Sequence, residues 1–365
     1  MSGYPQEFQG QDELASPKRR QIGLGALSSL GFLCAGVWRP AIAMQPGPRM
    51  SFDVDSTPGP VESERALQTF REYIDAFNRS DFDGFSRLYA PDIDFRGRGG
   101  TFQGRDAVLD FYRGVKARIR ETLFLRHMVI GKRQWVADVV TELHALEDWP
   151  DFSTGGFMKG DTRRSQNFIW YEREKGLFQR VRSARHSASV PLVDPAQRFV
   201  LPDASQPSMS AERFATYIDA FNRDDYSAFG DYYDEDVVLV IAGKQELRGH
   251  QAIFDFYRKV KAQTHRTIQI NRFVTAPGQI AVELQSEFLA LEDLPDFTAG
   301  PMKKGGRIFI NTFVLYELKN GKFWRIRSAE YRKDSSNSLA QREDVHSSLG
   351  IEEHRNRWSV LNGAT

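Results

Sequence analysis

A single cysteine, Cys34, stands in the 365 residues, so neither a disulfide framework nor a thiolate zinc cluster can form. An excess of one charge sign is also missing: 49 Lys and Arg against 48 Asp and Glu leave a formal net charge of +1. A phosphate-binding surface needs a basic excess, which argues against nucleic acid as a partner. No glycine-rich phosphate loop, metal-ligand cluster or nucleophile elbow is found, so no cofactor and no metal are implied. What remains is a globular composition, 41% hydrophobic and 27% charged, on a chain long enough for two domains with separate cores.

The first 43 residues read as a targeting segment. Lys18, Arg19 and Arg20 precede an uncharged stretch over residues 22–38, and Ala41-Ile42-Ala43 supplies a small-residue cleavage pattern. Paired arginines ahead of a mildly hydrophobic stretch resemble a twin-arginine signal. A membrane anchor and a lipoprotein site at Cys34 are the alternatives; the stretch is short for a span, and Leu33 is a poor neighbour for a lipidated cysteine. Cleavage after Ala43 removes the only cysteine and brings the formal charge to zero, which suits an oxidising periplasmic or secreted setting with no membrane attachment.

Beyond a lead-in over residues 44–62 the chain repeats itself. Tyr73-Ile74-Asp75-Ala76-Phe77-Asn78-Arg79 recurs unchanged from Tyr217 to Arg223, and Asp110-Phe111-Tyr112-Arg113 recurs from Asp255 to Arg258. Ala145-Leu146-Glu147-Asp148 and Pro150-Asp151-Phe152 recur from Ala290 and Pro295, and Arg182-Ser183-Ala184 recurs from Arg327. The constant offset of 144 or 145 residues marks duplication of a whole domain, not a solenoid. The expected layout is domain 1 over 63–186, a linker over 187–208, domain 2 over 209–331 and a polar tail over 332–365.

Within a copy, Leu67, Phe70, Tyr73, Ile74 and Phe77 form one helical stripe, with Ser63 as the expected cap. A short helix from Asp81, a strand over 92–96 and a helix over 105–119 follow. Residues 123–130, 135–146, 165–174 and 177–186 read as strands. Helices first and long strands after predict an α+β class. This order, with the Asn-Arg-x-Asp, Tyr-Ala-Pro-Asp and Gly-Arg-Asp words of residues 78–81, 89–92 and 104–106, resembles the SnoaL-like, nuclear transport factor 2-like family. The resemblance covers about 64–186 and 208–331. It implies two tandem cone-shaped α+β barrels, each a curved antiparallel sheet with helices packed in it around an apolar pocket. It also implies a hydrophobic small-molecule ligand and, through pairing of outer sheet faces, an intramolecular pseudo-dimer that could assemble further. Members include polyketide cyclases, ketosteroid isomerase, scytalone dehydratase, epoxide hydrolases and modules that only bind, so chemistry must be argued from side chains.

Of the three groups used by ketosteroid isomerase, the resemblance keeps the tyrosine as Tyr73 and Tyr217. It puts Gly97 and Ala242 at the base and Phe168 and Phe313 at the second acid. His127-Met128-Val129-Ile130-Gly131 is similar to the histidine strand of scytalone dehydratase, although Phe77-Asn78 replaces that enzyme's helical Tyr-Asp pair. On the strand over 136–146, Asp138, Val140, Glu142 and His144 share one face. Directed inward, that face would bring Glu142 and His144 to His127 as an acid–base group; directed outward, it meets solvent or the other domain. Copy two has Arg272 and Leu289 in place of the two histidines. The catalytic candidates are therefore His127, His144, Glu142 and Tyr73, in a lyase, isomerase or cyclase confined to domain 1. A non-catalytic binding or pairing module is the alternative.

Overall fold

The computed structural model describes residues 52–190 and 205–336. The expected leader with Cys34, residues 191–204 of the linker and residues 337–365 of the tail lie outside the described residues. A short strand β1 (Asp53–Asp55) opens the described chain. Repeat one then runs α1 (Pro60–Asn78), α2 (Phe82–Ser86), β2 (Tyr89–Gly97), β3 (Gly100–Gln103), α3 (Arg105–Arg118), β4 (Ile119–Ile130), β5 (Gln134–Ala145), β6 (Thr162–Glu174) and β7 (Leu177–Ser187). Repeat two gives α4 (Ala211–Asn222), α5 (Tyr226–Gly230), β8 (Tyr233–Ile241), β9 (Gln245–Arg248), α6 (Gly249–Gln263), β10 (Thr264–Ala276), β11 (Gln279–Ala290), β12 (Arg307–Lys319) and β13 (Lys322–Ser336). Among the described residues no helix is long and apolar enough to cross a membrane.

The repeated words are scaffold. Asn78 closes α1 onto β4: its amide donates to the Leu123 carbonyl at 3.0 Å and its oxygen accepts from the Leu123 amide at 2.8 Å. Asn222 holds α4 to Ile268 in the same way. Asp81 and Asp225 cap the short helices, accepting from the Gly84 and Ala228 amides at 2.8 and 2.9 Å. The first helix begins earlier than its expected cap at Ser63. Pro60 takes the first helical position, where its missing N–H would have had no partner, and Gly59 is the cap.

The expectation of cone-shaped barrels is corrected. Each repeat carries an open mixed sheet, ordered β3-β2-β7-β6-β5-β4 in repeat one and β1-β10-β11-β12-β13-β8-β9 in repeat two. The β2–β7 and β8–β13 pairs are parallel and the remaining pairs within each repeat antiparallel. The edges stay apart because α3, the connection from β3 to β4, packs on both strands and on β2, so no hydrogen-bond ladder joins them. The inner faces are covered instead by helices. Phe70, Tyr73, Ile74 and Phe77 of α1 bury against Trp135, Ala137, Val139, Tyr171 and Phe178 of the sheet. Phe214, Tyr217, Ile218 and Phe221 of α4 repeat that packing in the second copy.

The outer faces of the two sheets meet in an apolar layer. Val129, Val136, Phe168, Trp170 and Ala184 pack on Val274, Ala281, Phe313, Leu315 and Ala329. Charged residues cross this layer in a reciprocal pattern. Arg182 donates to both oxygens of Glu283 at 2.8 and 3.0 Å, and Arg327 donates to Asp138. Arg182 and Arg327 are equivalent by the 145-residue offset, and so are Asp138 and Glu283, so each repeat gives the other one cation and one anion. Glu172 and Glu317 steady the two guanidinium groups from their own sheets, each at 3.0 Å. Strand β1 adds a further tie. It pairs with β10 of repeat two, while Asp55 accepts from the Arg133 and Gln134 amides of repeat one at 2.8 and 2.7 Å. Gly131 is required at this crossing, since a Cβ there would stand 2.2 Å from the Asp55 carboxylate.

Burial alone would raise the Glu283 pKa, but Arg182 and Arg272 hold it down to about 2. Because this folded value lies below the ordinary 4.5, the stability it contributes is present above pH 4.5 and is lost as the pH falls through 2. Removing one cation leaves a buried anion short of its partner, which costs about 3–5 kcal/mol. Arg327→Met, which leaves Asp138 with the Gln166 amide alone, should show a loss of that size in urea unfolding at pH 7, and Arg182→Met a smaller one, because Arg272 and Tyr331 still meet Glu283. A loss under about 0.5 kcal/mol, the value of a surface pair, would contradict the assignment.

Candidate functional site

The inner face of repeat one is an aromatic floor with one unpaired acid at its edge. Tyr73 and Tyr89 join hydroxyls at 2.9 Å, Phe85 meets both rings edge-on, and Phe77 and Tyr112 pack around Phe85. Glu121, the third residue of β4, faces this floor alongside Leu123 and Leu125. It lies deep within the fold yet keeps some accessible surface. Among the described residues no hydrogen bond or ion pair ties its carboxyl. Burial raises its pKa from 4.5 to about 7, against a smaller opposing pull from Lys116. Lys116 is itself occupied: its ammonium donates to the Phe77 carbonyl at 2.7 Å and lies 3.8 Å from the centre of the Phe77 ring.

Polar groups continue from Glu121 across the same face. Leu143 pairs with Glu121 in register, and Thr141, two residues before Leu143 on β5, points the same way at a diagonal distance of about 7–8 Å. Thr141 accepts from the Asn167 amide at 3.1 Å, as does the Ser165 hydroxyl. Asn167 replaces an expectation placed one residue later. Phe168 was aligned with an acid position, but it lies on the outer face in the inter-repeat layer, and Asn167 takes the inward position.

Repeat two keeps the floor and reverses the charge. Tyr217 and Tyr233 join hydroxyls at 3.1 Å as Tyr73 and Tyr89 do. The position of Glu121 holds Arg266, whose guanidinium lies 5.3, 5.4 and 5.0 Å from the ring centres of Phe221, Tyr257 and Phe288. Thr141, Ser165 and Asn167 become Ser286, Ile310 and Thr312.

The four residues singled out by sequence do not meet. Tyr73 is a core residue with its hydroxyl on Tyr89, and burial pushes its pKa up to about 12. On β5, Trp135, Ala137 and Val139 face the helices, so Asp138, Glu142 and His144 face outward. Glu142 pairs with Arg164 at 2.5 Å and His144 meets the Thr162 hydroxyl at 2.9 Å. His127 pairs in register with Asp138, four positions from Glu142 and so about 13 Å away along the strand. It lies between the repeats near Glu317 and Arg327. Burial lowers its pKa, and its Nε2 has no hydrogen-bond partner among the described residues. The repeated acidic stretch is an exposed turn: Asp148 accepts from the Lys159 amide at 2.7 Å and Asp293 from the Lys304 amide at 2.9 Å.

Comparison with known proteins gives one family. The SnoaL-like domain matches residues 70–179 and again 214–326. Among solved structures, an NTF2-like protein of unknown function from Burkholderia pseudomallei is 23% identical, with a TM-score of 0.28, covering 33% of this chain and 88% of its own. An LEH-like epoxide hydrolase from M. tuberculosis is 13% identical, with a TM-score of 0.27, covering 32% and 78%. A SnoaL-like polyketide cyclase from Agrobacterium tumefaciens is 17% identical, with a TM-score of 0.27, covering 32% and 87%. No curated protein matches.

The Glu121 carboxyl makes stability depend on pH with a defined sign. Its folded pKa of about 7 lies above the ordinary 4.5, so its contribution is full below pH 4.5 and is lost as the pH rises through 7. At pH 8 the wild type carries an ionised, unpaired carboxylate in this setting. Glu121→Gln should therefore gain stability over wild type by about 2 kcal/mol at pH 8, and the gain should vanish near pH 4. Urea unfolding at the two pH values checks this; a difference independent of pH would contradict it.

Proposed function

This chain belongs to the SnoaL-like domain family in both of its halves, and on that premise we propose that repeat one binds a hydrophobic small molecule and exchanges a proton with it. The acting group is Glu121, and the reaction class is a cofactor-independent isomerisation or elimination. The observation that carries this reading is the unpaired Glu121 carboxyl, deep on the inner face beside an aromatic floor, with a pKa of about 7. A carboxyl of that pKa exists in both protonation states near neutrality, as a group that accepts and then returns a proton must. In the first step the carboxylate takes a proton from a carbon next to a carbonyl, and the electron pair moves to the carbonyl oxygen. In the second the same proton returns to a different carbon, so no oxidant or reductant enters. The Thr141 and Ser165 hydroxyls, whose oxygens accept from the Asn167 amide, keep their own O–H to donate on the same face to the oxygen that gains charge.

The reciprocal ion pairs favour a second part of the reading, in which the two repeats act as an intramolecular pseudo-dimer with one face of each sheet kept for ligand. Export behind residues 1–43, with cleavage after Ala43, belongs to the same proposal and rests on Arg19-Arg20 and Ala41-Ile42-Ala43 alone.

The test uses 2-tetralone, an apolar ketone with acidic carbon-bound hydrogens, in deuterated buffer. Wild-type protein should speed exchange of those hydrogens, with a rate that rises through pH 7 and then levels. Glu121→Gln should lose about 10²–10⁴ of that rate, while Glu287→Gln on the outer face of repeat two keeps it. Exchange no faster than buffer would leave a binding pseudo-dimer without chemistry. A loss in His144→Gln equal to that in Glu121→Gln would move the chemistry to the outer face.

A further inference from the structure

Arg266 is a buried cation without an anion. Its Nε is fully enclosed and has no hydrogen-bond partner, and no carboxylate pairs with the side chain among the described residues. The neighbours that surround it are tyrosines and phenylalanines. Glu330, the carboxylate on the corresponding face of β13, is exposed and stands three strands across from β10, level with Ile270 and so four residues along the strand from Arg266. Arginine cannot shed its proton to escape this setting, and ring faces replace only part of the hydration it has lost. The guanidinium groups buried between the repeats are matched, Arg182 with Glu172 and Glu283 and Arg327 with Asp138 and Glu317, while Arg173, whose Nε is likewise unpartnered, lies over the Trp135 ring and reaches the Gly176 carbonyl. Arg266 stands apart from the matched pairs at the position where repeat one keeps Glu121, on a face where part of its side chain is still accessible.

We infer that repeat two is a second ligand site, specific for a carboxylate carried on a flat apolar body, with Arg266 as the residue that reads the charge. The carboxylate takes paired N–H bonds from the guanidinium fork, and the apolar body lies on the floor that Phe221, Tyr257 and Phe288 already form. The two repeats then differ in what they accept. A ligand anion is repelled where Glu121 is ionised and held where Arg266 stands. This inference does not depend on the chemistry proposed for repeat one.

The probes are 2-naphthoate and 2-naphthamide, which share the ring system and differ in charge. Calorimetric titration of the full chain should give naphthoate at least tenfold the affinity of naphthamide. The Arg266 Nε–H resonance should shift with naphthoate and not with naphthamide, a readout that needs no variant. In Arg266→Gln the preference should fall below twofold, whereas Glu287→Gln on the outer face of the same repeat should retain it. Without ligand, Arg266→Gln should unfold no earlier than wild type, because it removes an uncompensated buried charge. Equal affinity for the two probes, no binding of naphthoate at millimolar concentration, or a preference that survives in Arg266→Gln would each overturn the inference.

Discussion

Charge removed from water must be matched, and in this protein the match is made across the duplication. Arg182 with Glu283 and Arg327 with Asp138 fix how the two sheets lie on one another, because in that register each buried carboxylate faces a guanidinium of the other repeat. The apolar layer of Phe168, Trp170, Phe313 and Leu315 adds area but little direction. Strand β1 completes the arrangement by pairing with one repeat while its Asp55 holds the hairpin of the other. Once the outer faces are used in this way, side chains on them are committed to pairing. His127 is the clearest case: burial lowers its pKa, and it lies between the repeats near Glu317 and Arg327.

The inner face of each sheet is largely covered by its own helices, with Glu121 and Arg266 where it keeps accessible surface, and here the duplication was free to diverge. The hydroxyl pairs Tyr73–Tyr89 and Tyr217–Tyr233 and the asparagine clasps at Asn78 and Asn222 are retained, because the fold of each copy needs them. The residue at the third or equivalent position of the following strand is not. An acid at Glu121 and a base at Arg266 on nearly the same aromatic floor give the two faces opposite electrostatic character. Burial then acts differently on each. It pushes the carboxyl toward neutrality, where proton exchange is easy, and it leaves the guanidinium charged and in want of an anion.

Much of the fold was legible in the sequence. The stripe from Leu67 to Phe77, the short helix from Asp81 and the constant offset gave the elements, their order and the duplication. Two things were hidden. Whether the sheet closes depends on where α3 packs between β3 and β4, which no local pattern encodes. The facing of β5 was hidden because its first half is buried on both sides: Trp135, Ala137 and Val139 inward, Val136, Asp138 and Val140 outward, so alternation gives no direction. Strand β1 spans three residues, too few for any periodicity. Glu121 escaped notice because it sits just past the helix of residues 105–118, in a stretch read as connection. The signal that could have found it was the offset itself, since Glu121 and Arg266 are a charge reversal between otherwise similar strands.

The proton on Glu121 decides the chemistry of repeat one. If Glu121 is enclosed and unpaired on the inner face, its carboxyl carbon, followed by carbon-13 NMR in the wild-type chain, should titrate with a midpoint near pH 7. A midpoint at the ordinary 4.5 would show the group to be solvated or paired, and the acid–base reading of repeat one would be wrong.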